Sequence, residues 1–257
     1  AVSAAALTAM GRLWAIVKLT LFVLLTLILA PLHLLLRAVA KRPDLLPRVY
    51  HRVLLRIFGI TVTVEGAAPA PGDVVVCNHL SYWDVLALSA VVPAAVFVAK
   101  KDVADWPLFG WLAGLQDTVF IDRARQAAKT EVAGLAKRWP RDRTLIVFPE
   151  GTSTDGRAVL PFKSSLFAVF CGTPEVVIRP ASLILEEVNA VDVAARPGAR
   201  DGYAWYGEME LTPHLWAFAR ARGARLRVIF HPPVAVTGDR KDLARTCQER
   251  VAAALPA

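Results

Sequence analysis

His79 and Asp84 are the pair of residues whose types and spacing most directly suggest chemistry. They follow an apolar run at residues 74–77, which is typical of a buried strand that leads into a loop. An aspartate one helical turn beyond a histidine can accept a hydrogen bond from one ring nitrogen, which leaves the other nitrogen able to take a proton. Such an isolated pair is more often structural, so its interpretation depends on the rest of the chain.

Polar residues with anion-binding or turn-forming chemistry occur at three further places. They are Arg123 after the apolar run 119–121, then Glu150, Gly151 and Thr152 after the run 145–148, and Lys163 at the start of a helical pattern. A guanidinium can bind a phosphate or carboxylate through two hydrogen bonds, and Gly151 permits close approach of a backbone. Each feature alone is also common in ordinary turns and surface ion pairs. Their shared position at strand ends, where α/β proteins bind ligands, is what favours a site.

Alternating strand and helix patterns from residue 60 onward would position these groups. Apolar runs predict strands at 60–64, 74–77, 95–99, 119–121, 145–148, 176–185 and 226–236. Helical spacing predicts helices at 83–91, 108–114, 124–139, 162–170, 241–255 and around 213–222. This pattern predicts an α/β fold with a mixed central sheet flanked by helices. Residues 187–207 read as an irregular surface excursion, and its aromatic cluster at 203–207 is assigned to core packing, with an interfacial belt as the alternative.

The N-terminal region predicts a membrane helix motif. Residues 19–36 carry no formally charged side chain, which suits a transmembrane helix, although Pro31 and His33 also allow a kinked or re-entrant helix pair. Residues 44–58 form an amphipathic pattern that suits either a surface helix or a helix in the headgroup layer. We therefore expect membrane-anchoring helices at 1–58 and an α/β domain at 59–257. Lys and Arg are more numerous after the apolar segment than before it, which predicts that this domain faces the cytoplasm, in bacteria from the inner membrane.

Composition narrows the class of partner. The chain of 257 residues is 55% hydrophobic with a formal net charge of +8, which favours anionic lipid headgroups over nucleic acid. Its three cysteines match no metal-binding spacing and suggest a reducing compartment. The sequence contains no P-loop, dinucleotide-binding glycine motif, zinc-peptidase motif or serine nucleophile elbow. We predict neither a metal nor a cofactor.

Four ordered blocks resemble the glycerolipid acyltransferase family. They are His79 through Asp84, Phe120-Ile121-Asp122-Arg123, Phe148-Pro149-Glu150-Gly151-Thr152, and Pro180 after an apolar run. The resemblance covers roughly residues 60–236 and includes the stretch from Lys100 to Trp111 between the first two blocks. The best-known bacterial members are 1-acylglycerol-3-phosphate acyltransferases, and others acylate lyso-ornithine lipid.

The resemblance implies a role for each matching residue. His79 would be the general base and Asp84 its orienting partner. Arg123 would contact the anionic headgroup of the acceptor, and Lys163 would be a second headgroup contact. The acceptor site would be shaped by Glu150 and Gly151, with Thr152 beside them. The implied reaction moves a fatty acyl group from acyl carrier protein or acyl-CoA to the free hydroxyl of a lyso-lipid in the membrane.

Two departures from the family pattern bear on the acceptor. Ser153 stands where members that use glycerol phosphates commonly have arginine, although Arg157, Lys163 or Arg179 could compensate. Asp117 stands where a glycine is usual. The sequence slightly favours 1-acyl-sn-glycerol-3-phosphate, which would give phosphatidic acid. Lyso-ornithine lipid, an aminolipid with a carboxylate and no phosphate, is the alternative acceptor.

Two other classes of function are compatible with parts of the sequence. The apolar segment and basic helix alone would suit a non-catalytic membrane-binding module, but that leaves four polar blocks unexplained. A hydrolase could use the same histidine to activate water. The absence of a recognisable serine or cysteine elbow favours direct attack by the acceptor hydroxyl over an acyl-enzyme.

Overall fold

A computed structural model describes residues 4–40, 45–121, 134–135, 139–171, 173, 175–236 and 239–256. The strands are β1 (Ile60–Glu65), β2 (Val74–Cys77), β3 (Ala95–Lys100), β4 (Val119–Ile121), β5 (Thr144–Val147), β6 (Ile178–Val188), β7 (Val191–Asp192) and β8 (Ala224–Phe230). The α-helices are α1 (Ala4–Ala40), α2 (Leu45–Phe58), α3 (Trp83–Val91), α4 (Phe109–Leu115), α5 (Ser164–Cys171), α6 (Leu211–Arg220) and α7 (Arg240–Ala252). Short 3₁₀ helices occupy Lys101–Asp105 and Pro197–Gly202.

The strands form one mixed sheet in the order β1-β8-β6-β2-β5-β3-β4, with the short β7 paired to β6. All neighbours along this path are parallel except β6 and β8, which are antiparallel. The predicted mixed α/β sheet is therefore confirmed. The last predicted strand is shorter than expected, because β8 ends at Phe230 before two prolines that lack the N–H groups a sheet requires. The predicted helix 124–139 lies mostly outside the described residues.

Alternation along the strands builds a core on each face of the sheet. Val75 and Ile146 pack into one cluster with residues of α2, α3 and α6, whereas Val74 and Leu145 pack into the other with residues of α5 and α7. Both faces of β2 and β5 are fully buried, which accounts for their continuously apolar sequences. The carboxyl ends of these two parallel strands therefore open onto the same edge of the sheet, where the blocks of polar residues begin.

α1 is a continuous helix of 37 residues that runs through Pro31, so the pair of separate helices allowed by the sequence is not formed. Its length and composition would suffice to cross a membrane. One side is nevertheless buried against the domain and includes Lys18, Thr26 and His33. The opposite side exposes large apolar residues, among them Leu13, Trp14, Leu21, Leu24, Leu27 and Ile28. Three polar residues of α1 thus face protein, whereas many of its large apolar residues face outward.

Polar contacts attach α1 to the domain in its middle part and near its C-terminal end. The Lys18 ammonium donates to the carbonyl oxygen of Ala221 at 2.7 Å and to that of Phe58 at 3.4 Å. These carbonyls lie at the C-terminal ends of α6 and α2, where helices leave acceptors unpaired and favour a positive charge. Further along, Arg37 pairs with Asp117. Asp117 has a φ of +59°, which explains why a glycine is usual there and why a short polar residue is tolerated.

Candidate active site

His79 and Asp84 meet at the carboxyl end of β2. His79 lies in the loop between β2 and α3, and Asp84 lies in the first turn of α3. His79 Nδ1 is 2.8 Å from Asp84 Oδ2. The same oxygen accepts hydrogen bonds from the backbone N–H groups of Leu80 at 2.6 Å and Ser81 at 2.9 Å. Asp84 is fully buried, so this loop is folded around its carboxylate.

Tyr203 completes the set of donors to Asp84. Its hydroxyl donates to Asp84 Oδ1 at 2.9 Å, and its side chain is fully buried. Burial and the nearby Asp84 charge raise the pKa of the Tyr203 hydroxyl well above its ordinary value, so the hydroxyl remains a donor. Sequence reasoning placed this tyrosine in the core without a role at the site. The two residues are 119 positions apart, and no local pattern joins them.

This arrangement fixes the tautomer of His79. Because the Asp84 carboxylate accepts from all of its partners, Nδ1 of His79 carries the proton and Nε2 has a free lone pair. The imidazole stacks on Phe148 with ring centroids 4.0 Å apart and planes 16° apart. Its side chain is 21% exposed. The ring is therefore held on one face and at one nitrogen while part of it is open to a substrate.

Glu150 links the loops after β2 and β5. Its Oε1 accepts from the backbone N–H of His79 at 2.8 Å, and its Oε2 accepts from that of Leu160 at 2.8 Å. Only 2% of Glu150 is exposed, and burial raises the pKa of its carboxyl. Gly151, the next residue, has a φ of +76°, which glycine adopts without strain. With both oxygens committed to backbone donors, Glu150 positions the backbone of His79.

The other residues of the third block lie around the same loops. Thr152 is exposed, and the N–H of Thr154 donates to the carbonyl oxygen of His79 at 2.9 Å. Lys163 is exposed immediately before α5, and its backbone N–H donates to the carbonyl oxygen of Pro149 at 2.9 Å. The structure thus gathers these residues near the end of β5. Arg123 and Asp122 lie outside the described residues.

Ser153 has a different role from the arginine it replaces. Its hydroxyl donates to the carbonyl oxygen of Trp205. The N–H of Trp205 in turn donates to the carbonyl oxygen of Leu80 at 2.8 Å. The excursion between β7 and α6 is therefore fastened to the loop after β5 and to the loop after β2.

Three basic residues could compensate for the arginine that is missing at position 153. One of them, Arg179, lies too far from the His79 loop to do so. Its Nε lies 3.3 Å from Asp73 Oδ2, near the amino end of β2 and away from His79. Arg157 is exposed, and its Nε lies 3.1 Å from Asp155 Oδ2. Lys163 remains near the third block, as described above.

An apolar cavity of about 210 Å³ lies between the N-terminal helices and the domain. It is lined by residues of α1, α2, α3 and α4, including Phe22, Ala30, Leu54, Trp83, Leu86 and Leu112. Tyr82, which belongs to the His79 loop, also lines it, so the cavity begins beside the candidate catalytic pair.

Several of the few polar groups in the cavity wall have protein partners, whereas His33 Nδ1 and Trp83 Nε1, which belong to two other lining residues, are buried without a hydrogen-bond partner among the described residues. Thr26 lies 2.8 Å from the Tyr50 hydroxyl, and His51 Nδ1 lies 2.7 Å from the Ser89 hydroxyl, which also accepts from Gln116. Burial lowers the pKa of His51 to about 4, so its imidazole is neutral at physiological pH.

Within the part of the chain that is described, no group of three or more His, Cys, Asp or Glu residues could hold a metal ion. Cys77 is fully buried beside the site, and burial raises the pKa of its thiol well above the ordinary value. A thiol in that state is a poor nucleophile.

Known proteins match this chain along most of its length. A family model described as Acyltransferase matches residues 59–184. Lyso-ornithine lipid O-acyltransferase from Brucella abortus is 37% identical over 82% of this chain and 81% of that protein. The chain belongs to the acyltransferase family. A second member of the family, lyso-ornithine lipid O-acyltransferase from Rhodobacter capsulatus, is 37% identical over 91% of this chain and 83% of its own.

This acyltransferase also resembles members named for another acceptor. The 1-acyl-sn-glycerol-3-phosphate acyltransferase of Neisseria meningitidis is 29% identical over 66% of this chain and 65% of its own. The crystal structure of the 1-acyl-sn-glycerophosphate acyltransferase PlsC from Thermotoga maritima superposes with a TM-score of 0.68 at 20% identity, over 95% of this chain and 93% of that one. The predicted family and fold are confirmed, whereas the roles of individual residues stay predictions.

Proposed function

We propose that this acyltransferase moves a fatty acyl group from the thioester of acyl carrier protein or coenzyme A to the free hydroxyl of a lyso-lipid, with His79 as the general base. The observation that carries the proposal is the 2.8 Å contact between His79 Nδ1 and a buried, four-donor Asp84. It leaves Nε2 as the proton acceptor of the site. A membrane-binding module would have no use for a histidine held in this way.

The chemistry follows from that free nitrogen. The lyso-lipid hydroxyl gives its proton to Nε2 as its oxygen attacks the thioester carbonyl carbon, and Asp84 stabilises the resulting imidazolium. When the tetrahedral intermediate collapses, the C–S bond breaks and the imidazolium returns the proton to the departing thiolate. The net change is one C–O bond formed and one C–S bond broken. Direct transfer is favoured over an acyl-enzyme because the nearest alternative nucleophiles, Cys77 and Ser81, are both fully buried.

The apolar cavity beside Tyr82 suits a fatty acyl chain. Its walls are almost entirely apolar, and the polar groups of Thr26, Tyr50 and His51 already have protein partners, so a chain gains burial there without breaking their hydrogen bonds. We assign the acyl chain to this cavity and the headgroup to the opposite, polar side of the His79 loop. Glu150 and Gly151 would shape that side, with Arg123, Thr152 and Lys163 as contacts of the headgroup.

The faces of α1 suggest how the enzyme meets the membrane. The protein carries one long apolar helix, and its relatives act on lipids, so it is associated with a membrane. α1 buries Lys18, Thr26 and His33 on the domain and exposes a broad apolar face, which favours a helix lying in one leaflet against the domain rather than crossing alone. We propose that residues 1–58 anchor the acyltransferase domain, 59–257, to the cytoplasmic face of a bacterial inner membrane.

We propose lyso-ornithine lipid as the preferred acceptor. Two relatives with 37% identity over more than four fifths of their lengths carry that name. The hydroxyl of Ser153 is bonded to Trp205, so the position usually held by a phosphate-binding arginine fastens the excursion instead. The second candidate is 1-acyl-sn-glycerol-3-phosphate, which the sequence slightly favoured and which the Neisseria relative supports.

A competition assay tests the reaction and the acceptor together. The full-length enzyme in detergent micelles receives acyl-CoA or acyl carrier protein and equal amounts of the two lyso-lipids, and products are identified by mass spectrometry. We expect acylated lyso-ornithine lipid to exceed phosphatidic acid and both to vanish in His79→Ala. The opposite ratio would make the glycerol phosphate the acceptor. Release of free fatty acid that acceptor does not suppress would indicate a hydrolase, and no thiol release with any acceptor would indicate a binding module.

A further inference from the structure

Arg200 is a mostly buried arginine with which no described residue forms an ion pair. It lies in the 3₁₀ helix Pro197–Gly202, and only 8% of its surface is exposed. Its side chain has no hydrogen bond or ion pair with the part of the chain that the structure describes. Buried charges in proteins are normally paired, so an unpaired one at the edge of a site indicates a missing anionic partner.

Positive charge exceeds negative charge in the surroundings of Arg200. Those that act on it most are Asp155 and Arg157. Asp155 is already committed to Arg157, since its Oδ2 lies 3.1 Å from Arg157 Nε and its Oδ1 accepts from the backbone N–H of Arg157 at 3.1 Å. Two guanidinium groups thus share one carboxylate, which leaves one positive charge for a ligand.

The position of Arg200 links this charge to the candidate catalytic pair. The Arg200 carbonyl oxygen accepts from the N–H of Tyr203 at 2.9 Å, and the hydroxyl of Tyr203 contacts Asp84. On the other side, Asp155 follows Thr154, whose N–H donates to the carbonyl oxygen of His79. A short hydrogen-bonded connection therefore joins Arg200 to Asp84, and the charge of Asp155, which acts on Arg200, lies next to the residue that bonds the backbone of His79. The same excursion is fastened by Ser153, at the position where other members of the family have an arginine.

We propose that Arg200 binds the anionic group of the acceptor headgroup, a carboxylate or a phosphate, and so replaces the guanidinium that Ser153 lacks. A guanidinium fixed in this way can hold two oxygens of such a group through parallel hydrogen bonds. The inference rests on the proposed function, because it assigns a residue to the acceptor of the same reaction. It differs from the roles assigned to Arg123 and Lys163 in coming from a separate segment of the chain, after β7.

The wild-type enzyme provides a first test that needs no variant. Lyso-ornithine lipid is compared with its methyl ester, in which the carboxylate is neutral and the reacting hydroxyl is unchanged. If glycerol phosphate proves to be the acceptor, the comparison is between 1-acyl-sn-glycerol-3-phosphate and the uncharged monoacylglycerol. We expect KM to be about 10- to 100-fold higher for the neutral acceptor, the range for loss of a hydrogen bond to a charged group. Equal KM values would overturn the proposal.

The second test assigns that recognition to Arg200. We expect Arg200→Ala to raise KM for the charged acceptor by about 10- to 100-fold and to leave KM for the neutral acceptor within about twofold of wild type. Arg200→Lys should restore part of the loss, because it supplies the charge without the planar fork. Arg196→Ala is the matched control, since Arg196 is exposed in the residue just before the same 3₁₀ helix. Its KM for both acceptors should stay at the wild-type value.

The outcomes separate this inference from the function on which it rests. An Arg200→Ala enzyme that loses as much with the neutral acceptor as with the charged one would assign Arg200 a structural role and overturn the inference. The same result would follow from an unchanged KM for the charged acceptor. A wild-type enzyme that acylates no lyso-lipid would instead overturn the proposed function. If Arg200→Ala does not fold, the same KM values are measured for Arg200→Gln and compared with those of the wild-type enzyme for the charged and neutral acceptors.

Discussion

The His79 loop and the apolar cavity lie side by side and are built on opposite principles. In the loop, the oxygens of two buried carboxylates, Asp84 and Glu150, each accept from defined donors. In the cavity, apolar side chains from separate helices form the wall, and the polar groups of Thr26, Tyr50 and His51 among them have protein partners. Proton transfer depends on direction, which hydrogen bonds fix, whereas holding an acyl chain depends on the apolar area removed from water. The loop should therefore tolerate almost no change, and the cavity should respond in a graded way.

The largest expected effect comes from removing the base in the loop. His79→Ala should lower kcat by about 10²- to 10⁴-fold, the usual contribution of general acid–base catalysis. Acyl transfer measured by thiol release checks this. The variant should keep the wild-type thermal unfolding midpoint and membrane association, because the imidazole is partly exposed and Asp84 retains its other donors. A purified His79→Ala enzyme with near-full activity would refute the mechanism.

Protonation of His51 in the cavity wall should have the next largest effect, which is a loss of stability at low pH. The pKa of His51 is about 4 in the folded protein and about 6.5 when unfolded, so the folded state binds fewer protons between these values. The contribution of His51 to the free energy of unfolding is therefore fully present above pH 6.5 and is lost as the pH falls toward 4. The loss should approach roughly 3 kcal/mol.

Denaturant unfolding in detergent at pH 4.5 and 7.5 measures this loss. His51→Gln, which keeps a polar group for Ser89, should show a smaller difference between the two pH values than wild type. The positive charges of Arg48 and Arg52 on the same helix and the uncharged Gln116 are unchanged by that substitution. An identical pH dependence in the two proteins would contradict the assignment.

Filling the cavity should change the choice of acyl chain without stopping the chemistry. Ala30 lines the cavity from α1, and a phenylalanine there would occupy space that the end of a long chain requires. Each buried methylene contributes about 0.8 kcal/mol, so two displaced methylenes correspond to roughly a tenfold loss of kcat/KM. Ala30→Phe should show this loss for long thioesters but not for short ones. Ala38→Phe, on the exposed side of the same helix, should keep the wild-type preference.

The smallest expected effect in the loop comes from its remote donor. Tyr203→Phe removes one of the hydrogen bonds to Asp84 while leaving the others in place. Loss of a hydrogen bond to a charged group costs about 1.5 kcal/mol, so kcat should fall roughly tenfold with little change in KM. Tyr206→Phe is the control, because that hydroxyl bonds to the exposed Asp201. An equal fall in both variants would assign the effect to the excursion as a whole.

The sequence predicted what local patterns determine. β2 and α3 have the predicted bounds, and the contact between His79 and Asp84 was expected, because the residues involved are close in the chain. The stripe of Lys18, Thr26 and His33 was not predicted, although a signal for it exists, since spacings of eight and seven residues return to one side of a helix. That signal indicated a face bound to protein inside an apolar segment.

The remaining parts of the site depend on contacts between distant segments. Tyr203 reaches Asp84, Ser153 reaches Trp205, and Glu150 reaches the backbone of His79, over 119, 52 and 71 residues respectively. Such pairings are set by how the sheet orders its strands, and no spacing in the sequence encodes them. The role of Glu150 in shaping the acceptor site stays a prediction, and its two backbone hydrogen bonds were not foreseen.

The contacts of Lys18 determine how the enzyme can be prepared. The ammonium closes the ends of α2 and α6, and Leu19, Phe22 and Leu25 of the same helix pack on the core beneath. A truncation that begins at Leu45 would uncover this surface and leave two carbonyl groups without their donor. The helix proposed to anchor this protein in the membrane is therefore also part of its folded core. Purification should solubilise the enzyme with α1 in detergent, because a fragment without α1 would lose these contacts.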